Sequence, residues 1–326
     1  MKIAYIIVAH KQPLQVARLV LRLNAAETSF FIHVDRKTPD ATYRGFVSLL
    51  EGLPNVCFLK RHVCNWGEFG LIRAPLEGIA EICRRGESPD YVVLLSGQDY
   101  PIKTNGFIHA FFERSGGRSY INYDAVPSEV WRNAAPRIKR WQVRLLGRPV
   151  EFPQRKVGLA ALRRPRKWPV VFISYFLPEE RRFPVGYKPF TGSAFWAMTG
   201  KCVRLVDGFV RANPAFVRFF KYVMCPDEIF FQTVLLNSEI AGEMVDSDLH
   251  CIDWSQRGPH PATFTAKDLE RLATSPALFA RKFDLDLDET ILQLIDERLL
   301  GISPASAPGT RSRARAACRA HTEEAE

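Results

Sequence analysis

Polar clusters sit at the ends of apolar runs in this 326-residue chain. Ala9-His10 closes the first run, Asp35-Arg36 the second, and Ser96-Gly97-Gln98-Asp99 a later one; Cys225-Pro226-Asp227-Glu228 opens a run from Ile229 to Leu236. Side chains of these types hold hydroxyls and charges of a polar ligand, or exchange protons with it. Each cluster alone also reads as a strand end capping a loop, and His10 as a structural histidine. Asp227 and Glu228 follow a proline at a first helical position, which marks a helix start, and the helix dipole favours carboxylates there. Arg281-Lys282 alone reads as a solvated helix end. The turn after the first run, Val8-Ala9-His10-Lys11-Gln12-Pro13, lacks the glycine pattern of a dinucleotide site. The chain also lacks a Walker loop, an H-E-x-x-H zinc helix and a G-x-S-x-G elbow. Asp246-Ser247-Asp248 and the alternating acids Asp284, Asp286 and Asp288 are short acid-x-acid patterns and are not read as metal sites.

The elements that must position these groups follow from periodicity. Strands are predicted over 3–9, 30–34, 56–59 and 91–95, and helices over 13–24, 40–51 and 68–84, with Pro75 as a start or kink. Val16, Leu19, Val20 and Leu23 fall on one helical face. Strand–helix alternation predicts an α/β fold with a largely parallel sheet. Ligands bind such sheets beyond the carboxyl ends of the strands, where the first three clusters would converge. Further on, Phe190 to Met198 reads as a Gly-Ser turn entering a buried strand, a helix is predicted over 201–211, and 131–170 reads as a long loop system with short helices.

Charge is concentrated. The chain carries +10, with 45 Lys+Arg against 35 Asp+Glu. Residues 131–170 hold 12 Lys/Arg and one acid, Glu151, so this stretch alone carries +11 and the rest −1. A basic stretch calls for an anionic partner such as a nucleic acid, membrane surface or acidic acceptor. Seven cysteines without a C-x-x-C support neither a disulfide framework nor a zinc site. The first apolar run is too short to span a bilayer and reads as a strand. The expected location is cytoplasmic, peripheral to the inner membrane face, and residues 304–326 read as a disordered tail.

Several segments resemble one family. IAYIIVAHK at 3–11, FFIHVDRK at 30–37, Trp66-Gly67, LLSGQDYPIKTN at 94–105, FTGSAFWAMT at 190–199, PDEIFFQTVL at 226–235, IDWS at 252–255 and ALFARKFD at 277–284 occur in consistent order. They are similar to the core-2/I-branching β-1,6-N-acetylglucosaminyltransferases and peptide O-xylosyltransferases, with FFQTVL and ARKF nearer the xylosyltransferase branch. The resemblance implies a GT-A-type glycosyltransferase fold, a Rossmann-like mostly parallel sheet flanked by helices. It would form one domain over 1–303, with a nucleotide-binding half at 1–125 and an acceptor and catalytic half at 171–303. It implies inverting transfer of GlcNAc or xylose from a UDP-sugar to a hydroxyl of a glycan, lipid-linked or peptide acceptor, with no metal or other cofactor.

Carried onto this sequence, the resemblance makes Glu228 the general base. It places Val8, His10, Asp35, Arg36, Asp99, Arg257, Arg281 and Lys282 around the nucleotide sugar, with Arg281 and Lys282 on the diphosphate. Asp227, Trp254, Arg137, Lys139 and Arg140 fall to the acceptor side. Trp66 and Trp254 are either stacking floors or core. The alternative is a degenerate transferase fold that binds nucleic acid or an anionic membrane through 131–170; steep salt dependence would mark it. No RNA-module signature accompanies that stretch, and no nucleic-acid partner is expected.

Overall fold

The computed structural model describes residues 1–145, 147–152, 178, 180–256, 258 and 260–302. Arg257, the tail and residues 153–170 of the basic stretch lie outside them. The chain divides into two compact units. One is built from residues 1–61, 88–117 and 249 onward, the other from 62–87 and 118–248.

The first unit holds β1 (Ile3–Ala9), α1 (Pro13–Leu23), β2 (Thr28–Val34), α2 (Asp40–Leu50), β3 (Val56–Phe58) and β4 (Tyr91–Ser96). β1 pairs in parallel with β2 on one side and β4 on the other, and β2 pairs in parallel with β3. The spatial order is therefore β4-β1-β2-β3, and it reverses between β1 and β4. Open α/β sheets bind ligands beyond the carboxyl ends of the strands at such a reversal, and here Val8 stands opposite Ser96. Ile3 to Ile7 are buried without alternation, so both sheet faces are covered. α1 buries Val16, Leu19, Val20 and Leu23 completely, each contributing about 1.5–3 kcal/mol.

A second, three-stranded sheet in this unit carries Phe279–Arg281 between His250–Ile252, in parallel, and Asp99–Pro101, antiparallel. Phe279–Arg281 is thus a strand, where Arg281-Lys282 alone also reads as a helix end. The last helix, Thr290–Arg298, is tied down through Asp296. This buried carboxylate accepts hydrogen bonds from Arg18 at 2.8 Å, Arg22 at 2.7 Å and the Tyr100 hydroxyl at 2.7 Å.

In the second unit, Ser119–Ile121 pairs in parallel with Met244–Val245 and antiparallel with Trp196–Thr199. The predicted helix over 201–211 is Gly200–Ala212. Residues 141–145 and 148–152 pair as a hairpin where loops and short helices were expected. Its strands Trp141–Leu145 and Arg148–Phe152 pair Trp141 with Phe152 and Val143 with Val150 across a turn at Gly147, whose φ is 78°. Cross-strand apolar pairs and a turn glycine outweigh the basic side chains around them. Among the described residues, no helix is long and apolar enough to cross a membrane.

The expected helix start at Pro226 divides in two. Pro226–Glu228 is a single 3-10 turn, Ile229 leaves helical geometry at φ −133°, and the helix proper is Phe230–Leu236. Packing explains the break. Phe230 lies 5.2 Å from Phe220 and Phe231 lies 5.3 Å from Trp196, ring centre to ring centre. Burying two successive aromatics on different sides fixes this helix independently of the acidic turn before it.

Candidate functional site

In the first unit the carboxyl ends of β1 and β4 are joined by a close approach of backbones. The Gly97 N–H donates to the Val8 carbonyl at 2.9 Å. A Cβ at Gly97 would lie 2.8 Å from Val16 and 3.0 Å from Ala9, so only glycine fits there. Buried Gln15 donates to the Gly97 carbonyl at 2.9 Å and the Phe283 carbonyl at 3.2 Å, and accepts from Leu285 N–H at 3.0 Å. It therefore fastens the loop after β4 to the segment after Arg281. Sequence reasoning missed Gln15, although a polar residue four positions before Leu19 on an apolar face was a signal.

Asp35 is buried at the end of β2; its backbone N–H donates to the Ala9 carbonyl at 2.9 Å and its carboxylate accepts from Lys37 N–H at 2.9 Å. Arg61 donates to the carbonyls of Asp35, Arg36 and Thr38, and the Thr38 hydroxyl to that of His10. The ends of β1 and β2 are thereby locked together, with Val8 half-buried and Arg36 and His10 exposed. Partial burial, then Lys11, Lys37 and Lys282, push the His10 imidazole below the usual histidine range against the pull of Asp35. His10 is therefore neutral at neutral pH, with lysines from three segments around it.

Asp99 has no exposed surface. Its carboxylate accepts from Ser96 N–H at 2.6 Å and the Ser96 hydroxyl at 2.7 Å. Arg281 Nη1 is 3.4 Å and His250 Nε2 3.6 Å from it. Burial opposes its ionisation, but Arg281, His250 and the Ser96 N–H outweigh that and lower its pKa. Asp99 braces the loop and orients Arg281, whose side chain stays 16% exposed. Lys282, next in sequence, is half-buried. No sequence signal marked His250.

The second unit holds Glu228. The Gly192 N–H at 2.8 Å and the Thr191 hydroxyl at 3.0 Å both donate to the Glu228 carbonyl. A Cβ on Gly192 would lie 1.9 Å from the Asn122 carbonyl, so FTGSAF passes Asn122 only through glycine. On the other side, Cys225 adopts a left-handed φ of 47° and donates its N–H to the Gly67 carbonyl at 3.0 Å. A non-glycine residue there costs about 1–2 kcal/mol, a strain that clusters at functional sites.

The Glu228 side chain is 26% exposed and accepts a hydrogen bond from Arg137 Nη1. Burial raises its pKa above the usual carboxylate range, and Arg137 opposes that rise. Arg137 was expected on the acceptor side; the structure makes it the partner of Glu228. Lys139 and Arg140 point elsewhere, pairing with Glu180 at 2.9 Å and Glu151 at 3.2 Å on the surface. Asp227 sits beside Glu228, half-buried. Trp66 in this unit and Trp254 in the first are 55% and 54% exposed, so neither is core and both offer a ring face.

The acid-x-acid patterns are engaged with protein groups. Asp246 accepts from Asn122 and Tyr123 N–H, Asp284 pairs with Lys11, and Asp288 accepts from Ala266 and Thr290 N–H. Among the described residues, no group of three or more His, Cys, Asp or Glu side chains could hold a metal ion.

A family model described as Core-2/I-Branching enzyme matches residues 3–273. The chain is similar to xylosyltransferase 2 of Mus musculus, 26% identical over 331 residues, covering 95% of this chain and 35% of the relative. Xylosyltransferase 1 of Rattus norvegicus is 25% identical over 334 residues, covering 95% and 37%. The chain thus spans about a third of the length of the curated relatives it matches. Among solved structures it is similar to the galactosyltransferase LgtC in complex with donor and acceptor sugar analogues. That match has TM-score 0.35 and 11% identity, and covers 92% of this chain and 97% of the other; no inference rests on it.

Proposed function

The chain belongs to the Core-2/I-branching enzyme family, and on that premise we propose that it is an inverting glycosyltransferase of GT-A type. The donor is a UDP-sugar, the sugar xylose in preference to N-acetylglucosamine, and the acceptor a hydroxyl of a peptide or glycan. The preference for xylose is supported by the relatives named xylosyltransferase. The observation that carries the reading is Glu228, a carboxylate on a strained turn, partly exposed and raised in pKa by burial.

In this mechanism the acceptor hydroxyl oxygen attacks the anomeric carbon and its proton passes to Glu228. The bond to the UDP oxygen breaks with its electron pair, so configuration inverts in one displacement. Negative charge develops on the leaving diphosphate, and fixed cations stabilise it most when they need not reorganise. Arg281, oriented by Asp99, and Lys282 supply that charge without a metal. Asp35 and neutral His10 line the nucleoside end, and Asp227 and an exposed tryptophan face meet the acceptor.

Transfer and donor hydrolysis are to be measured with UDP-xylose, UDP-N-acetylglucosamine and UDP-galactose, in EDTA and with added divalent cation. Turnover with UDP-xylose in EDTA is the expected result. Loss of all turnover in EDTA overturns the metal-free mechanism, and turnover with none of the three overturns the donor assignment.

A further inference from the structure

We propose that Arg137 is a positioning residue for Glu228: it keeps the carboxylate ionised despite burial and holds Oε2, so that Oε1 is the oxygen left for a substrate proton. This rests on Glu228 being the general base.

Among the described residues, Glu228 is the one hydrogen-bond partner of the Arg137 side chain, and Arg137 Nε is buried without a partner. The guanidinium is therefore not an anchor shared among several backbone groups. Arg181 shows the contrast: it donates to the carbonyls of Arg140, Phe219 and Tyr222 and stacks 3.9 Å from the Phe219 ring. Arg181 holds structure together, while Arg137 is aimed at one carboxylate. Both members of the pair are largely shielded, at 18% and 26% exposure. In that setting charge acts strongly, and an unpaired carboxylate would take up a proton and cease to be a base. A charge-assisted bond to one oxygen also sets the direction of the other.

No other described cation does this for Glu228. In its own turn stand Asp227 and the Cys225 thiol, which burial and then Glu228 push up to about 12, so that it stays neutral. On the segment leading into the helix Gly70–Arg84, Glu68 is paired with Arg144; in that helix Glu77 is paired with His62, and Arg73 is exposed. Phe230–Leu236 carries no ionisable group, and Thr191 and Gly192 offer none. Among the described residues, Arg137 is the cation that offsets the burial of Glu228.

The test is the pH profile of kcat/KM for wild type, Arg137→Met, Arg137→Gln and Glu228→Gln, with thermal melts of each. Removing Arg137 raises the pKa of Glu228, so the acid limb of the profile moves to higher pH. Relative to wild type, R137M and R137Q then lose on the order of ten-fold more activity on that limb than on the alkaline plateau. Arg137→Lys, which keeps the charge, restores the limb. Two uncharged variants guard against misfolding of one, since a melt near wild type in either suffices. Equal loss at every pH in the folded variants overturns the proposal and leaves Arg137 as a structural tie. If E228Q keeps its turnover, the base assignment fails instead, a result distinct from an unshifted limb.

Discussion

Arg281 stands directly opposite Asp99 in an antiparallel pair, with its Nη1 3.4 Å from a carboxylate that has no exposed surface. The register fixes the arginine head against a buried anion, so the anion belongs to the scaffold and holds the cation in place.

Replacing Asp99 with Asn leaves a largely buried guanidinium without its counter-charge. Breaking such a pair from one side costs about 3–5 kcal/mol, to be read from urea unfolding at neutral pH. The folded pKa of Asp99 lies below its unfolded value. Its stabilisation is therefore present above the ordinary aspartate range and lost as pH falls through the folded pKa. The acid-side decline of stability should be shallower in the variant than in wild type.

Arg281→Ala with Lys282→Ala is expected to lower UDP affinity by about ten-fold or more, since the proposed function gives each cation a charge-assisted contact with the diphosphate. Isothermal titration with UDP measures it. Unchanged affinity removes both residues from the diphosphate site.

Glu228→Gln is expected to lower turnover by a factor of about 10²–10⁴, the usual contribution of a positioned base. UDP affinity should persist, because the amide keeps the shape of the side chain. In the wild type, burial raises the Glu228 pKa. Activity needs the ionised form, so the rate should fall on the acid side at a pH above the range of an exposed glutamate.

Gly192→Ala places a methyl group against the Asn122 carbonyl. Overpacking of this kind costs about 1–3 kcal/mol. The Gly192 N–H also holds the Glu228 carbonyl, so turnover should fall together with the unfolding midpoint. A variant that melts and turns over like wild type shows that the loop yields freely.

Periodicity made the first unit legible: strands at 3–9, 30–34, 56–59 and 91–95 reappear within a residue or two. They are long, apolar and punctuated, so local pattern and tertiary demand agree. The stretch 141–152 was misread because charge dominates its composition, while its hairpin depends on a few apolar residues pairing across strands. The turn at Pro226 was misread because helix-start chemistry and a 3-10 turn share the same first residues. At Arg281 the local sequence fits a solvated helix end as well as the strand end beside a buried acid that it is, and only the pairing across strands distinguishes them.

The sequence by itself determined the family, the parallel α/β layout of the first unit and the residue types able to carry the reaction, since these reside in local pattern and ordered motifs. Only the tertiary structure decided their division of labour. Asp99 is fully buried, held by Ser96 and facing Arg281 across the strand pair. Arg137 pairs with Glu228, while Lys139 and Arg140, two and three residues on, pair with Glu180 and Glu151 at the surface. Burial and pairing are properties of contacts between residues far apart in sequence, and they set which carboxylate is structural, which is raised in pKa and which cation answers it.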